Sequence, residues 1–194
     1  MTAYFYSAVD GNDGNSGLTD FSNAKATFNA AWGLAGAGDI IYCDAAGDES
    51  VSGSLTIAKI ADSLDDPIYV VSVSRTGDNV NQYSQGAKLT LADSGADFGI
   101  GTETGVIFHG LEIETADRLN SNINGYNKYI DCILHMGGFM TLSNGCAVEV
   151  YDCELDWGSA QTLYFTNARR AYLQNCTLRT GFGGASSYLC GIGS

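Results

Sequence analysis

The 194-residue sequence predicts an all-β domain wound as a single-stranded parallel β-helix, and three observations carry that expectation. A short apolar pattern recurs four times at near-constant spacing in the second half of the chain. Around a fixed anchor in each copy the apolar residues alternate, a period that belongs to strands and that no helix holds. Gly accounts for 25 residues, about 13%, where ~7% is usual, and Pro occurs once. Tight turns are therefore abundant, while collagen, with Gly every third residue and much Pro, is excluded. Eight Phe and eleven Tyr likewise exclude a disordered tail.

The elements follow in chain order. Residues 1–38 are expected to form an N-terminal strand, an Asx- and Gly-rich turn cluster from Asp10 to Gly17, and a capping helix near residues 23–35. Ala24, Phe28, Ala31, Trp32 and Ala35 recur at helical spacing, with Ser22 or Asn23 as N-cap and Gly36 or Gly38 as the stop. The end of a β-helix bares apolar interior and unpaired strand edges, so a helix with one apolar face makes a lid, plugged here by Phe28 and Trp32. Residues 39–194 are expected to supply stacked coils, making 1–194 one domain. Asp39–Cys43 reads as the first full strand and Ile68–Val73 as the next. Ser74–Gln85, polar and carrying Gly77-Asp78-Asn79, reads as a protruding loop. Leu89-Thr90-Leu91 is placed on the following coil, 22 residues before Leu111.

The clear repeats are anchored at Leu111, Cys132, Cys153 and Cys176, at spacings of 21, 21 and 23 residues. Three residues before and two after each anchor stand apolar partners: Phe108 and Ile113, Tyr129 and Leu134, Val150 and Leu155, Leu173 and Leu178. About 21–23 residues hold two or three short strands with bends, and such coils stack with like residues over like. Leucine-rich repeats are of similar length, but their fixed Leu and Asn pattern is absent. Gly110, Asp131, Asp152 and Asn175 precede the anchors, residues suited to bends. Cys132, Cys153 and Cys176 are expected to point inward about 4.8 Å apart as small hydrophobes. No C-x-x-C pair marks a zinc site. Cys43, Cys146 and Cys190 share no pattern.

The formal net charge of −13, with a pI near 4.2, disfavours nucleic-acid partners and any anionic polymer not met by a local basic cluster, for which Arg169-Arg170 is the candidate. No apolar run reaches the 18 or so residues of a membrane span. The first residues lack the features of a secretory signal, so the six cysteines are expected to be reduced thiols.

The run Tyr6-Ser7-Ala8-Val9-Asp10-Gly11-Asn12-Asp13-Gly14-Asn15-Ser16-Gly17, the helix, Gly38-Asp39-Ile40-Ile41-Tyr42, and strand ends of the Gly-Leu-Glu-Ile and Asn-Cys-Thr-Leu kind resemble the pectin-lyase-like family of right-handed parallel β-helices. The resemblance covers nearly the whole chain and implies a right-handed winding. It specifies activity poorly, because the family includes pectate lyases, polysaccharide hydrolases, phage tailspikes and virion proteins without known chemistry, so function has to be argued from a site. Family enzymes place acids on the outer face of stacked strands, often with calcium or paired carboxylates.

Two outward columns fit that description. One position after the anchor stand Glu112, Ile133, Glu154 and Thr177; three after it stand Glu114, His135, Asp156 and Arg179, a set suited to acid–base work or to a sugar, or equally to a charge ladder without chemistry. Asp131, Asp152 and Glu154 are the calcium candidates, since carboxylates suit that cation; bends account for the two Asp equally well. Asp10–Gly17 departs from EF-hand spacing, and His109 reads as a surface residue. Trp157 is the aromatic residue singled out for stacking on a sugar ring. No nucleophile triad, phosphate loop or dinucleotide motif occurs.

The expected role is a structural component of a phage virion, capsid-decorating or part of a tail, made in the host cytoplasm without a signal and touching capsid or tail proteins and glycans. The alternatives are a glycan-cleaving tailspike-type lyase or hydrolase and a non-catalytic carbohydrate-binding module. No cofactor other than calcium is implied. Residues 181–194 carry no second capping helix, so a homo-oligomer such as a trimer, a partner or further chain is expected to cover that end.

Overall fold

A computed structural model describes residues 1–57, 66–101, 105–121, 125–138, 140–143, 145–157, 163–166, 170–180 and 190–193. The protein is mostly β-strand in three parallel sheets, with one short helix. In chain order come β1 (Ala3–Tyr6), α1 (Phe28–Leu34), β2 (Ile40–Asp44), β3 (Asp48–Ser50), β4 (Leu55–Ile57), β5 (Ile68–Thr76), β6 (Asn79–Tyr83) and β7 (Lys88–Leu91). They are followed by β8 (Phe98–Ile100), β9 (Gly105–His109), β10 (Glu112–Thr115), β11 (Leu119–Ser121), β12 (Tyr126–Ile130), β13 (Ile133–Met136) and β14 (Met140–Ser143). The last are β15 (Ala147–Tyr151), β16 (Glu154–Trp157), β17 (Leu163–Thr166), β18 (Arg170–Gln174), β19 (Thr177–Thr180) and β20 (Cys190–Gly193).

The first sheet runs β1-β2-β5-β9-β12-β15-β18, with β6 beside β5; the second runs β3-β7-β10-β13-β16-β19 and the third β4-β8-β11-β14-β17-β20. From β9 onward each repeat therefore contributes one strand to each sheet. The register stacks like on like: Phe108, Tyr129, Val150 and Leu173 pair in line, as do Ile113, Leu134, Leu155 and Leu178. Phe108, Tyr129, Val150, Ile113, Leu134 and Leu155 belong to a continuous apolar core, in which the Phe108 and Tyr129 rings stack with centroids 5.3 Å apart.

The bend between first and second sheet explains the residues before each anchor. Gly110, Asp131, Asp152 and Asn175 all have positive φ, between 51° and 76°, where Gly, Asp and Asn are the residues least penalised. The N–H groups of Gly110, Asp131 and Asp152 donate to the carbonyls of Ile130, Tyr151 and Gln174 on the next repeat, so the turn backbone is satisfied by its neighbour. Behind it the anchors Leu111, Cys132 and Cys153 are buried and Cys176 half-buried. The Cys132, Cys153 and Cys176 thiols donate to the carbonyls of Ile130, Tyr151 and Gln174, and these three and Cys43 are free of disulfides. Cys190 has no described side chain.

Three expectations need correction. The helix starts at Phe28, capped by Thr27, and stops at Leu34, short of the predicted 23–35. The Asp13 carboxylate holds the Ala26 and Thr27 N–H groups, and Lys25 bonds to Phe5 and Ser7 across β1, so residues 24–27 are pulled out of the helix into extended backbone. Ser22 and Asn23 instead lie in a single 3₁₀ turn capped by Asp20. Phe28, Ala31 and Trp32 are nonetheless buried, with Phe28 edge-on to Tyr6 and 6.1 Å from Trp32.

Ser74–Gln85 is largely a β-hairpin, β5 and β6 closing at Thr76 and Asn79 around the two-residue turn Gly77-Asp78, with Gly77 at φ 59°. Leu89 pairs with Ile113, so the residue opposite Leu111 is Ala87, two places from the predicted register. A shift of two keeps each side chain on its face, which is why the apolar pattern did not reveal it. Among the described residues no helix is long and apolar enough to cross a membrane.

Candidate functional site

The outward face of the second sheet gathers the candidate acid–base residues. Strand register places Glu114, His135, Asp156 and Arg179 side by side on β10, β13, β16 and β19. An open groove of about 260 Å³ is lined by Glu114, Thr115, Ala116, His135, Met136, Gly137 and Asp156. Gly137 is required there, since a Cβ on it would stand 2.1 Å from the Ala116 carbonyl oxygen.

Ion pairs tie this face together. Lys88 on β7 bridges Glu112 at 2.8 Å and Glu114 at 2.9 Å. The two carboxylates, Glu112 first, hold the Lys88 ammonium well above its ordinary range. His135 stands between Asp156, 3.4 Å from Nδ1, and Glu112, 3.7 Å from Nε2. Arg179, in register with Asp156, pairs with Glu154 at 3.1 Å. Glu114 and Asp156 are two strand spacings apart, about 9.6 Å. Inverting glycosidases need roughly 6.5–9.5 Å between carboxyl groups with room for a water, and here the imidazole lies on the strand between them. Lys88 was missed in the sequence because the two-residue register offset concealed its place beside Glu112; its signal is Ala87 taking the anchor position.

The calcium candidates are engaged separately. Asp131 Oδ2 accepts from the Tyr83 hydroxyl, Asp152 Oδ1 accepts from Asn175 Nδ2 at 3.1 Å, and Glu154 is the partner of Arg179. Among the described residues no group of three or more His, Cys, Asp or Glu could hold a metal ion. Trp157 does not offer a ring to solvent: it pairs with Met136 on the inward face and is 2% exposed. The two-residue period that sends Asp156 outward sends Trp157 into the core, which corrects its reading as a sugar platform. His109 lies under the hairpin, stacked on Tyr83 at 4.1 Å, and burial lowers its pKa from the usual imidazole value.

Two further clusters had no signal in the repeat. Arg75 pairs with Asp10 at 2.8 Å and with buried Asp44 at 2.9 Å, while the Ser7 hydroxyl lies within hydrogen-bond distance of both carboxylates and donates its one proton between them, fastening the Asp10 loop to the hairpin. On the outward face of the first sheet, Glu149 is 7% exposed and is held by Tyr126, Tyr151 and Arg170. Arg169 lies outside the described residues.

No protein-family model and no curated protein matches the chain. A solved structure similar to it is a rhamnogalacturonan lyase, at a TM-score of 0.45 and 13% identity, with 97% of this chain and 60% of that chain covered. The chain thus spans less than two thirds of that protein's length.

Proposed function

We propose that the three sheets are the faces of one right-handed parallel β-helix of the pectin-lyase-like kind, and that the chain is a structural, non-catalytic component of a phage virion, decorating the capsid or forming part of the tail. The observation that carries the non-catalytic reading is the mutual pairing of the acidic face. Lys88 occupies Glu112 and Glu114, His135 faces Glu112 and Asp156, and Arg179 occupies Glu154. A ladder of this kind stabilises stacked strands, while a general acid and base need carboxylates free to exchange protons with a substrate.

Two observations support the setting. Cys43, Cys132, Cys153 and Cys176 are free of disulfides, in keeping with assembly in a reducing compartment and release by lysis. Leu173 and Leu178, in register with buried Val150 and Leu155, are 36% and 40% exposed, which supports covering of that end by a homo-oligomer such as a trimer, by a capsid or tail partner, or by further chain. Residues 181–189 and 194, the rest of that end, lie outside the described residues. Calcium is not needed for this role.

Quantitative mass spectrometry of purified particles tests the proposal: a fixed ratio of this chain to capsid or tail protein is expected, and its absence from particles would overturn the assignment. The alternative, glycan cleavage, is favoured by one observation, the placement of His135 between carboxylates beside the groove. Release of reducing ends or unsaturated sugars that is lost in Glu114→Gln, His135→Ala or Asp156→Asn would replace the structural reading by that one.

A further inference from the structure

The corner between the first and second sheets sets three thiols in a row, one per repeat. Cys132, Cys153 and Cys176 each follow a residue of positive φ, and the strands on both sides of each corner are in register: Ile130, Tyr151 and Gln174 before it, Ile133, Glu154 and Thr177 after it. Successive anchors therefore stand about one strand spacing apart, ~4.8 Å, inside the ~4.4–6.8 Å between Cα atoms that a disulfide spans. Direct contacts hold the corners at this spacing. The Cys132 N–H donates to the Cys153 sulfur at 3.3 Å, the Thr177 N–H to the Cys153 carbonyl at 2.9 Å, and Asn175 Nδ2 to Asp152 Oδ1 at 3.1 Å. Cys132 and Cys176 are two spacings apart, about 9.6 Å, which is beyond the ~7 Å limit for a bridge. The row can thus hold one disulfide, and Cys153, in the middle, must be half of it.

Exposure selects the other half. Cys132 and Cys153 are buried, whereas Cys176, at the end of the row, is half-buried. A solute therefore meets Cys176 first. Its thiol donates to the Gln174 carbonyl at 3.3 Å, and burial raises its pKa above the ordinary thiol value. Pairing with Cys132 and burial do the same to Cys153. Thiolate is scarce at both, so exchange at this pair is slow near neutrality and quickens as pH rises.

We infer that Cys153 and Cys176 are a redox pair that closes to a disulfide between consecutive repeats when the folded chain meets a disulfide oxidant such as oxidised glutathione. The Cys176 sulfur, its proton given up to water, attacks one sulfur of the oxidant; that S–S bond breaks, and one glutathione leaves as a thiolate and takes up a proton. Cys153 loses its proton in turn, attacks the Cys176 sulfur of the mixed disulfide and expels the second glutathione. Two protein thiols are oxidised and one glutathione disulfide is reduced to two thiols, with no further reactant. Cys132 keeps its thiol and its bond to the Ile130 carbonyl. The pair stays open where glutathione is held reduced and closes outside such a compartment, so the bond records the passage of the chain from one to the other. This rests on the geometry of the corner and holds whether or not the chain belongs to a virion.

The test is incubation of the intact folded chain with oxidised glutathione at pH 8, then acid quenching, intact-mass measurement and peptide mapping without reduction. The expected product has lost two hydrogens and carries one linkage, Cys153 to Cys176, which dithiothreitol removes. Cys153→Ser should instead accumulate a glutathione adduct on Cys176, and Cys132→Ser should oxidise as the parent does. The oxidised chain should unfold at a midpoint equal to or above that of the reduced chain, since the bond closes in the native arrangement. Linkage of Cys176 to Cys190, to Cys132 or to a second chain, a lasting adduct on Cys176 of the parent, no reaction, or a lowered midpoint would each overturn the inference. The parent's own peptide map decides even where a variant fails to fold. Particle association is read in another assay, so failure here is distinguishable from failure of the proposed role.

Discussion

Replacing Cys153 with Asp should produce a loss of stability that deepens as pH rises. Cys153 is 2% exposed; its sulfur accepts from the Cys132 N–H at 3.3 Å and its thiol donates to the Tyr151 carbonyl at 3.1 Å. In the native protein the pairing with Cys132 and then burial push this thiol far up, so it stays protonated and keeps that donation. An Asp carboxylate has no proton for the Tyr151 carbonyl and would stand against it as an uncompensated charge, a situation that costs about 3–5 kcal/mol. For a domain of this size each kcal/mol shifts the midpoint by about 2–4 °C, so the loss is roughly 6–20 °C. The sign follows from linkage: burial raises the folded-state pKa of the introduced Asp above its unfolded value of about 3.9, so the native state binds the extra proton and stability falls as pH rises between the two values, by about 1.4 kcal/mol per unit of difference. Cys153→Ser, whose hydroxyl can both donate and accept at the same place, should lose about 1–3 kcal/mol without that pH dependence. Urea unfolding of both variants at pH 5 and pH 8 decides. An Asp variant as stable as the parent at pH 8, or equally destabilised at both, would refute the inward thiol column.

Phe28→Ala should lose about 3–5 kcal/mol and promote association, because it empties the space between Tyr6 and Trp32; equilibrium unfolding and light scattering report both effects. At the left-handed turn Asp152→Gly should be nearly neutral, whereas Asp152→Val should lose about 1–2 kcal/mol in thermal unfolding. His109 should titrate by NMR below about 6.5, and because its folded pKa is depressed, its contribution to stability should be full above that value and fall away as pH drops through the folded pKa. Thiol labelling should leave Cys43, Cys132, Cys146 and Cys153 unreactive in the folded protein and reach all of them after denaturation under non-reducing conditions.

What could be read in the sequence was whatever repeats along the chain. Cys132 and Cys153 announce both their spacing and their inward face, and the Asp before each announces a bend; the strand register keeps all of these together. Lys88 escaped because small Gly86 and Ala87 stand where later repeats have Asp and Cys, leaving the apolar alternation free to slide by two. Asp13 drew residues 24–27 away from the helix through bonds from a loop more than ten residues distant, an effect invisible to periodicity. The Gly77-Asp78 pair did carry a hairpin signal, overridden by the polarity of its flanks. Glu149 gave none, since its surroundings come from β12 and β18, each about 21–23 residues away, and only the pairing shows that Tyr126 and Arg170 converge on it.

The close approach of Gly137 to the backbone of Ala116, one repeat earlier, bears on how such a chain can change length. The left-handed corner seen at Asp131 and Asp152 recurs only when a whole repeat has been traversed. A single inserted residue within β13 would turn Leu134 outward and His135 into the core, reversing the two faces of everything that follows on that strand. An insertion of one complete repeat of 21 residues, as separates Cys132 from Cys153, would meet matching surfaces above and below. On the proposed β-helix, duplication in units of the repeat is the neutral step for extending or shortening this protein, its length adjusted like the number of rungs on a ladder while the core keeps its cross-section.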